Sequence, residues 1–159
     1  MSSKTAYFHL PGLFEFYELY KVFLPIFREH REYFYDWCDI GSIYGSPMDC
    51  IWSGGRVEVG EAETWKVLNL MQEYGISARL TFSNSLLKEE HLSDKICNDI
   101  CSLFAQNKSE KNNQTRINIQ NTSMESCGTQ NQKIINSYVS NGVIVHSDLL
   151  LNYLKKELS

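Results

Sequence analysis

Large apolar and aromatic side chains recur at steps of three and four through Leu13, Phe16, Tyr17, Tyr20, Phe23, Phe27, His30, Phe34 and Trp37. Glu15, Glu18, Lys21, Arg28 and Arg31 occupy the other face, so the spacing predicts an amphipathic helix. Pro25 lies inside it, lacks a backbone donor and crowds the carbonyl of Lys21, which predicts a kink or two helices in sequence. Over residues 76–83 the period changes to two: Ile76, Ala78, Leu80 and Phe82 alternate with Ser77, Arg79, Thr81 and Ser83, as in a strand. Short β-prone runs at 5–9, 38–44 and 142–146 predict three more strands, the first stopped by Pro11 and Gly12. Residues 61–74 read as a helix with acidic residues in its first turn and Gly75 as its C-terminal cap. Ser83, Asn84 and Ser85 read as N-cap candidates for a helix reaching about Ala105, and Ser147 as the cap of a last helix over 148–158. The loop over 45–60 is long, and long ordered loops in compact domains are often functional.

From 107 to 140 the composition shifts to Asn, Gln, Ser, Thr and Lys, with too few apolar side chains to offset the entropy of ordering. This predicts a disordered low-complexity insertion. The N-x-Ser/Thr triplets at Asn107, Asn113 and Asn121 are read as chance matches in an Asn-rich segment. The chain then divides into 1–106 with three strand-helix units, the insertion at 107–140, and 141–159 with a fourth unit of the same domain. Alternating strands and helices favour a parallel sheet. Outside the insertion the chain has about half of the ~250 residues of a (β/α)8 barrel. The expected fold class is therefore α/β, a parallel (βα)4 half of a TIM-type barrel, with a small open sheet as the alternative. A half barrel leaves two strand edges unpaired, so closure requires a second copy or a missing C-terminal half.

Charge narrows the partners. The formal net charge of -4 offers no electrostatic reason to bind duplex nucleic acid or an anionic membrane. The most apolar stretch, 22–27, is too short to span a bilayer. Small-molecule or peptide-like ligands are expected, in a cytoplasmic protein. Five cysteines, Cys38, Cys50, Cys97, Cys101 and Cys127, are an odd number without the density of a disulfide scaffold and read as reduced thiols.

Strand parity supplies the candidate chemistry. If Ile76, Ala78, Leu80 and Phe82 pack on helices, Arg79 points into the barrel, where an unpaired guanidinium is costly and calls for an anion. The same parity turns His9, Tyr44 and His146 toward the C-terminal mouth of the sheet, with Asn84 just beyond the third strand. His9, Tyr44 and His146 are the catalytic candidates, able to transfer protons. Arg79 and Asn84 are substrate-binding candidates. The bland alternative makes each a structural hydrogen-bonding residue. Trp52-Ser53-Gly54-Gly55-Arg56 can shape an anion nest with Arg56 as counter-charge and Trp52 as a stacking wall, although a plain glycine turn also accounts for it. Cys97 and Cys101 share a helix face, but a third metal ligand is missing and Phe104 stands where the radical-enzyme cluster spacing needs cysteine, so buried packing is expected. His30 and His91 read as surface or packing residues. No sequence feature identifies a cofactor, and none decides whether the protein is an enzyme.

The runs FHLPGLFEFYELYKVFLPIFREHREYFYDWCDIGSIYGSP, ISARLTFSNSLL and NGVIVHSDLLLNYL resemble the N-terminal part of an uncharacterised bacterial TIM-barrel family. That family is distantly similar to the collagenase-like peptidases and to radical-SAM-type barrels. The resemblance covers most of residues 6–157 outside the insertion. It implies a barrel completed by a C-terminal half and a later cysteine-rich segment, makes Ser159 a premature end, and implies no established substrate. The expected function is part of an enzyme acting on a small anionic or peptide-like substrate. The alternative is a non-catalytic interaction module that pairs through its open barrel edge.

Overall fold

The computed structural model describes residues 4–54, 63–106 and 140–157. These form a mixed α/β fold in the order β1 (Ala6–Pro11), α1 (Tyr17–Glu29), β2 (Cys38–Gly45), α2 (Thr64–Tyr74), β3 (Ser77–Phe82), α3 (Lys95–Gln106), β4 (Gly142–Val145) and α4 (Asp148–Glu157). The strands lie in one parallel sheet in their order along the chain, β1-β2-β3-β4. Among the described residues the sheet is open, with β1 and β4 at its edges. The insertion, apart from Ser140, lies outside the described residues, as do Cys127 and the beginning expected for the second helix.

Alternation decides the two faces of the sheet. Ile43, Ala78, Leu80 and Phe82 are buried and join Leu24, Val67, Met71, Phe104, Leu150 and Leu154 of the helices in one core. Tyr7, His9, Ser42, Tyr44, Arg79, Thr81 and Ile144 project from the other face, where Tyr7 is 62% and Ile144 43% exposed.

The caps that the sequence predicts at Gly75 and Ser147 are both formed. Gly75 sits at φ 66, a left-handed conformation glycine adopts without penalty, and the Ile76 amide returns to the Met71 carbonyl at 2.9 Å. The Ser147 hydroxyl accepts the Leu150 amide at the start of α4. The expectations for α1 and α3 need correction. The first helix is not divided at Pro25; it runs through it to Glu29, held by buried Tyr20 and Leu24. Beyond His30 the chain leaves the helix through a 3-10 turn at Arg31–Tyr33, because Phe34 folds back edge-on against Phe27 (4.8 Å) and Arg31 donates to the Cys38 carbonyl at 2.7 Å. The third helix starts at Lys95, not after Ser85, and Asp94 caps it by accepting the Cys97 amide at 2.9 Å.

The cysteine expectation is also corrected. Cys50 and Cys97 form a disulfide, with Cα atoms 5.2 Å apart, fastening the segment after β2 to the first turn of α3. Cys101 is free and buried, and burial pushes its thiol up to about 12, so it is an inert packing group. Cys38 is also free. The disulfide removes the cysteine argument for a reducing compartment. Among the described residues no helix is long and apolar enough to cross a membrane.

Candidate functional site at the C-terminal edge of the sheet

The polar face of the sheet is organised in rows by strand register. His9 stands opposite Ser42, and Pro11, Tyr44, Arg79 and Gly142 form the next row toward the C-terminal ends of the strands. Thr81 follows Arg79 by two positions on the same face. Tyr44 therefore stands between His9, Arg79 and Thr81, and three sequence candidates (His9, Tyr44 and Arg79) share one surface.

At the end of these rows lies a cavity of about 500 Å³, walled by Gly12, Glu15 and Phe16 after β1 and by Tyr44, Ser46 and Thr81 from β2 and β3. Its position follows from the chain path. The Leu13 amide donates to the Tyr44 carbonyl at 3.1 Å and the Tyr20 hydroxyl to the Pro11 carbonyl, which fixes the β1-α1 connection above the sheet edge. The Ser46 hydroxyl donates to the Thr81 carbonyl at 2.8 Å, holding the end of β2 against β3. The Thr81 hydroxyl is buried, and among the described residues it has no hydrogen-bond partner. Buried polar atoms ordinarily have one, so this hydroxyl holds an unused hydrogen-bonding capacity in the wall of the cavity. Sequence reasoning missed the cavity roles of Glu15, Phe16 and Ser46, since none carries a local motif and only the loop geometry brings them to Tyr44.

Arg79 is half-buried on an interior strand, and among the described residues its guanidinium makes no hydrogen bond or ion pair. It extends along Gly142, where an added Cβ would lie 3.0 Å from Nη1. Gly142 thus leaves room for the guanidinium between β3 and β4. A cationic group on a protein face with no internal partner is available to an external anion.

The other candidates separate from this group. Asn84 is a structural pin: its amide nitrogen donates to the Ile51 carbonyl at 2.8 Å, its backbone N–H to the Trp52 carbonyl, and its side-chain oxygen accepts the Leu86 amide. Trp52 is fully buried, with its indole edge-on to Phe82 (5.4 Å) and Tyr153 (6.0 Å), so it is no stacking wall for a ligand. His146 is exposed one residue beyond β4; its backbone N–H donates to the Phe82 carbonyl at 3.0 Å. Arg56 lies outside the described residues. His91 is structural, its ring accepting the Lys88 amide. Among the described residues no group of three or more His, Cys, Asp or Glu is placed to hold a metal ion.

Chemically, Tyr44 and Thr81 line the cavity, while the His9 imidazole and the Arg79 guanidinium stand on the same face of the sheet outside its lining, a set that suits hydrogen bonding to an oxyanion. Comparison with family models, curated proteins and solved structures returns no match to this chain.

Proposed function

We propose that this chain forms the (βα)4 half of a TIM-type barrel whose C-terminal edge binds a small anionic or peptide-like ligand. Arg79 supplies the counter-charge, and Tyr44, Thr81 and His9 supply hydrogen bonds. The reaction class proposed is hydrolysis or proton transfer, with His146, one residue beyond β4, as the proton-transfer candidate outside the cavity lining. The observation that carries this reading is Arg79, a cation on an interior strand with no partner among the described residues, one row below the cavity. Ligands of parallel α/β sheets bind beyond the carboxyl ends of the strands, which supports the placement. The family resemblance supports the same reading and leaves the substrate open.

Calorimetric titration with inorganic phosphate and with a neutral-capped dipeptide carboxylate tests it. Arg79→Met should weaken binding of the anion about tenfold or more while moving the urea midpoint little. Equal loss of binding and stability would make Arg79 a structural residue and end the proposal.

One observation favours a second reading, an interaction module that pairs through the open sheet. Tyr7 and Phe8 on edge strand β1 are 62% and 44% exposed, and Ile144 on the opposite edge 43%. Exposed apolar strand edges favour pairing with another chain. Light scattering decides it: a closed dimer of the 18.4 kDa chain supports the module, and a stable monomer sinks it.

A further inference from the structure

The placement of His9 goes deeper than strand parity. Between Phe8 and His9 the β1-β2 register shifts, so that Phe8 faces Ile40 but His9 faces Ser42, with Gly41 as the extra residue. Such a bulge re-aims the side chains beside it. Gly41 is where the ring passes: an added Cβ would lie 3.0 Å from His9 Cε1 and 3.1 Å from Tyr7 Cβ. The ring is then held by the Ser42 hydroxyl, 2.7 Å from His9 Nδ1.

This contact has a direction. Ser42 is 0% exposed, so its hydroxyl is out of reach of solvent, and among the described residues His9 Nδ1 is its hydrogen-bond partner. If Nδ1 carried the proton and donated to Oγ, the serine hydrogen would be buried without an acceptor, a costly arrangement. If the hydroxyl donates to Nδ1, both atoms are satisfied. Neutral His9 then carries its proton on Nε2, the nitrogen not engaged by Ser42.

We propose that Ser42 is a positioning residue that locks neutral His9 in the Nε2–H tautomer, making this imidazole a hydrogen-bond donor to a ligand oxygen on the open face and not its general base. The donor role rests on the ligand-site reading above; the tautomer does not. The assignment agrees in sign with Arg79, a cationic donor on the same face. It also excludes Ser42 as a nucleophile, since its hydroxyl is spent on the ring and sealed from solvent.

Long-range proton-nitrogen NMR of the full chain reads the tautomer directly, with the His9 signals assigned by their loss in His9→Gln. The expected result is an unprotonated Nδ1 and a protonated Nε2 in the neutral ring. Ser42→Ala should convert this to a mixture of tautomers, and Ser42→Thr, which keeps the hydroxyl, should restore it. A neutral ring protonated on Nδ1, or a Ser42→Ala ring that keeps the wild-type pattern, overturns the proposal. For the donor role, phosphate titrations are compared in His9→Gln, whose amide keeps a donor near the Nε2 position, and His9→Ala. Binding kept within about threefold in the first and weakened about tenfold in the second is expected; equal loss in both overturns the donor role. Failure of phosphate to bind the wild-type protein, with the tautomer fixed as expected, overturns the site reading and the donor role while leaving the positioning by Ser42 intact.

Discussion

The Trp52 indole N–H donates to the carbonyl oxygen of His91 at 2.7 Å, across 39 positions of sequence, and this bond joins the 3-10 turn at Ile51–Ser53 to the segment that leads into α3. In the sequence Trp52, just before two glycines, reads either as a stacking wall for a ligand or as part of a plain glycine turn. In the fold it closes the core over Phe82 and Tyr153.

Trp52→Phe should therefore cost stability and spare the site. The change removes the bond to His91 and part of a buried ring, leaving a carbonyl unpaired, at a cost of about 2–3 kcal/mol. Urea denaturation measures the loss. Phosphate affinity of the folded variant should stay at the wild-type value; a binding defect without a stability defect would return Trp52 to the site.

Thr81→Val should do the reverse. The substitution preserves shape and β-branching while deleting a buried hydroxyl that has no partner among the described residues, so stability should hold or rise by up to about 1 kcal/mol. Ligand binding at the cavity should fall. Chemical denaturation and calorimetry on the same sample separate the two effects, and a stability loss comparable to that of a core cavity would show that Thr81 has an internal partner.

Breaking the Cys50–Cys97 link should loosen the segment after β2. Its ends are 47 positions apart, a closure that in the chain-entropy model contributes roughly 2–4 kcal/mol. A dithiol reductant should lower Tm, and the double variant Cys50→Ala, Cys97→Ala should show the lowered Tm with or without reductant. Alkylation followed by mass spectrometry checks the pairing: Cys50 and Cys97 should become reactive together, and only after reduction.

Alkaline pH should destabilise the fold through Tyr20. Burial pushes its phenol up to about 12, and like charge on Tyr44 and Glu15 adds to the shift. The neutral, protonated form is the one favoured in the folded chain. Its stabilisation is therefore fully present below the unfolded value of 10.0 and is lost as pH rises through about 12, by at most about 3 kcal/mol. Stability measured from pH 9 to 12 should fall more steeply in the wild type than in Tyr20→Phe. Parallel slopes would remove Tyr20 as the cause.

The approximate strand positions, the cap at Gly75, the cap at Ser147 and the polar parity of Tyr44, Arg79 and Thr81 are all legible in the sequence, because each depends on period-two alternation or on a turn closed within a few residues. Fold class followed to the level of a parallel α/β sheet. What the linear chain did not reveal are pairings between distant residues. Asn84 looks like a helix cap but bonds to the Ile51 carbonyl 33 positions away, which leaves Asp94 to start α3. Cys50 finds Cys97 among five cysteines only when α3 packs beside the segment after β2. Ser42 meets His9 because the extra residue Gly41 shifts the register of two strands. Periodicity encodes which way a side chain faces, a local property of backbone geometry; which group it meets there is decided by packing, and packing is a property of the whole chain.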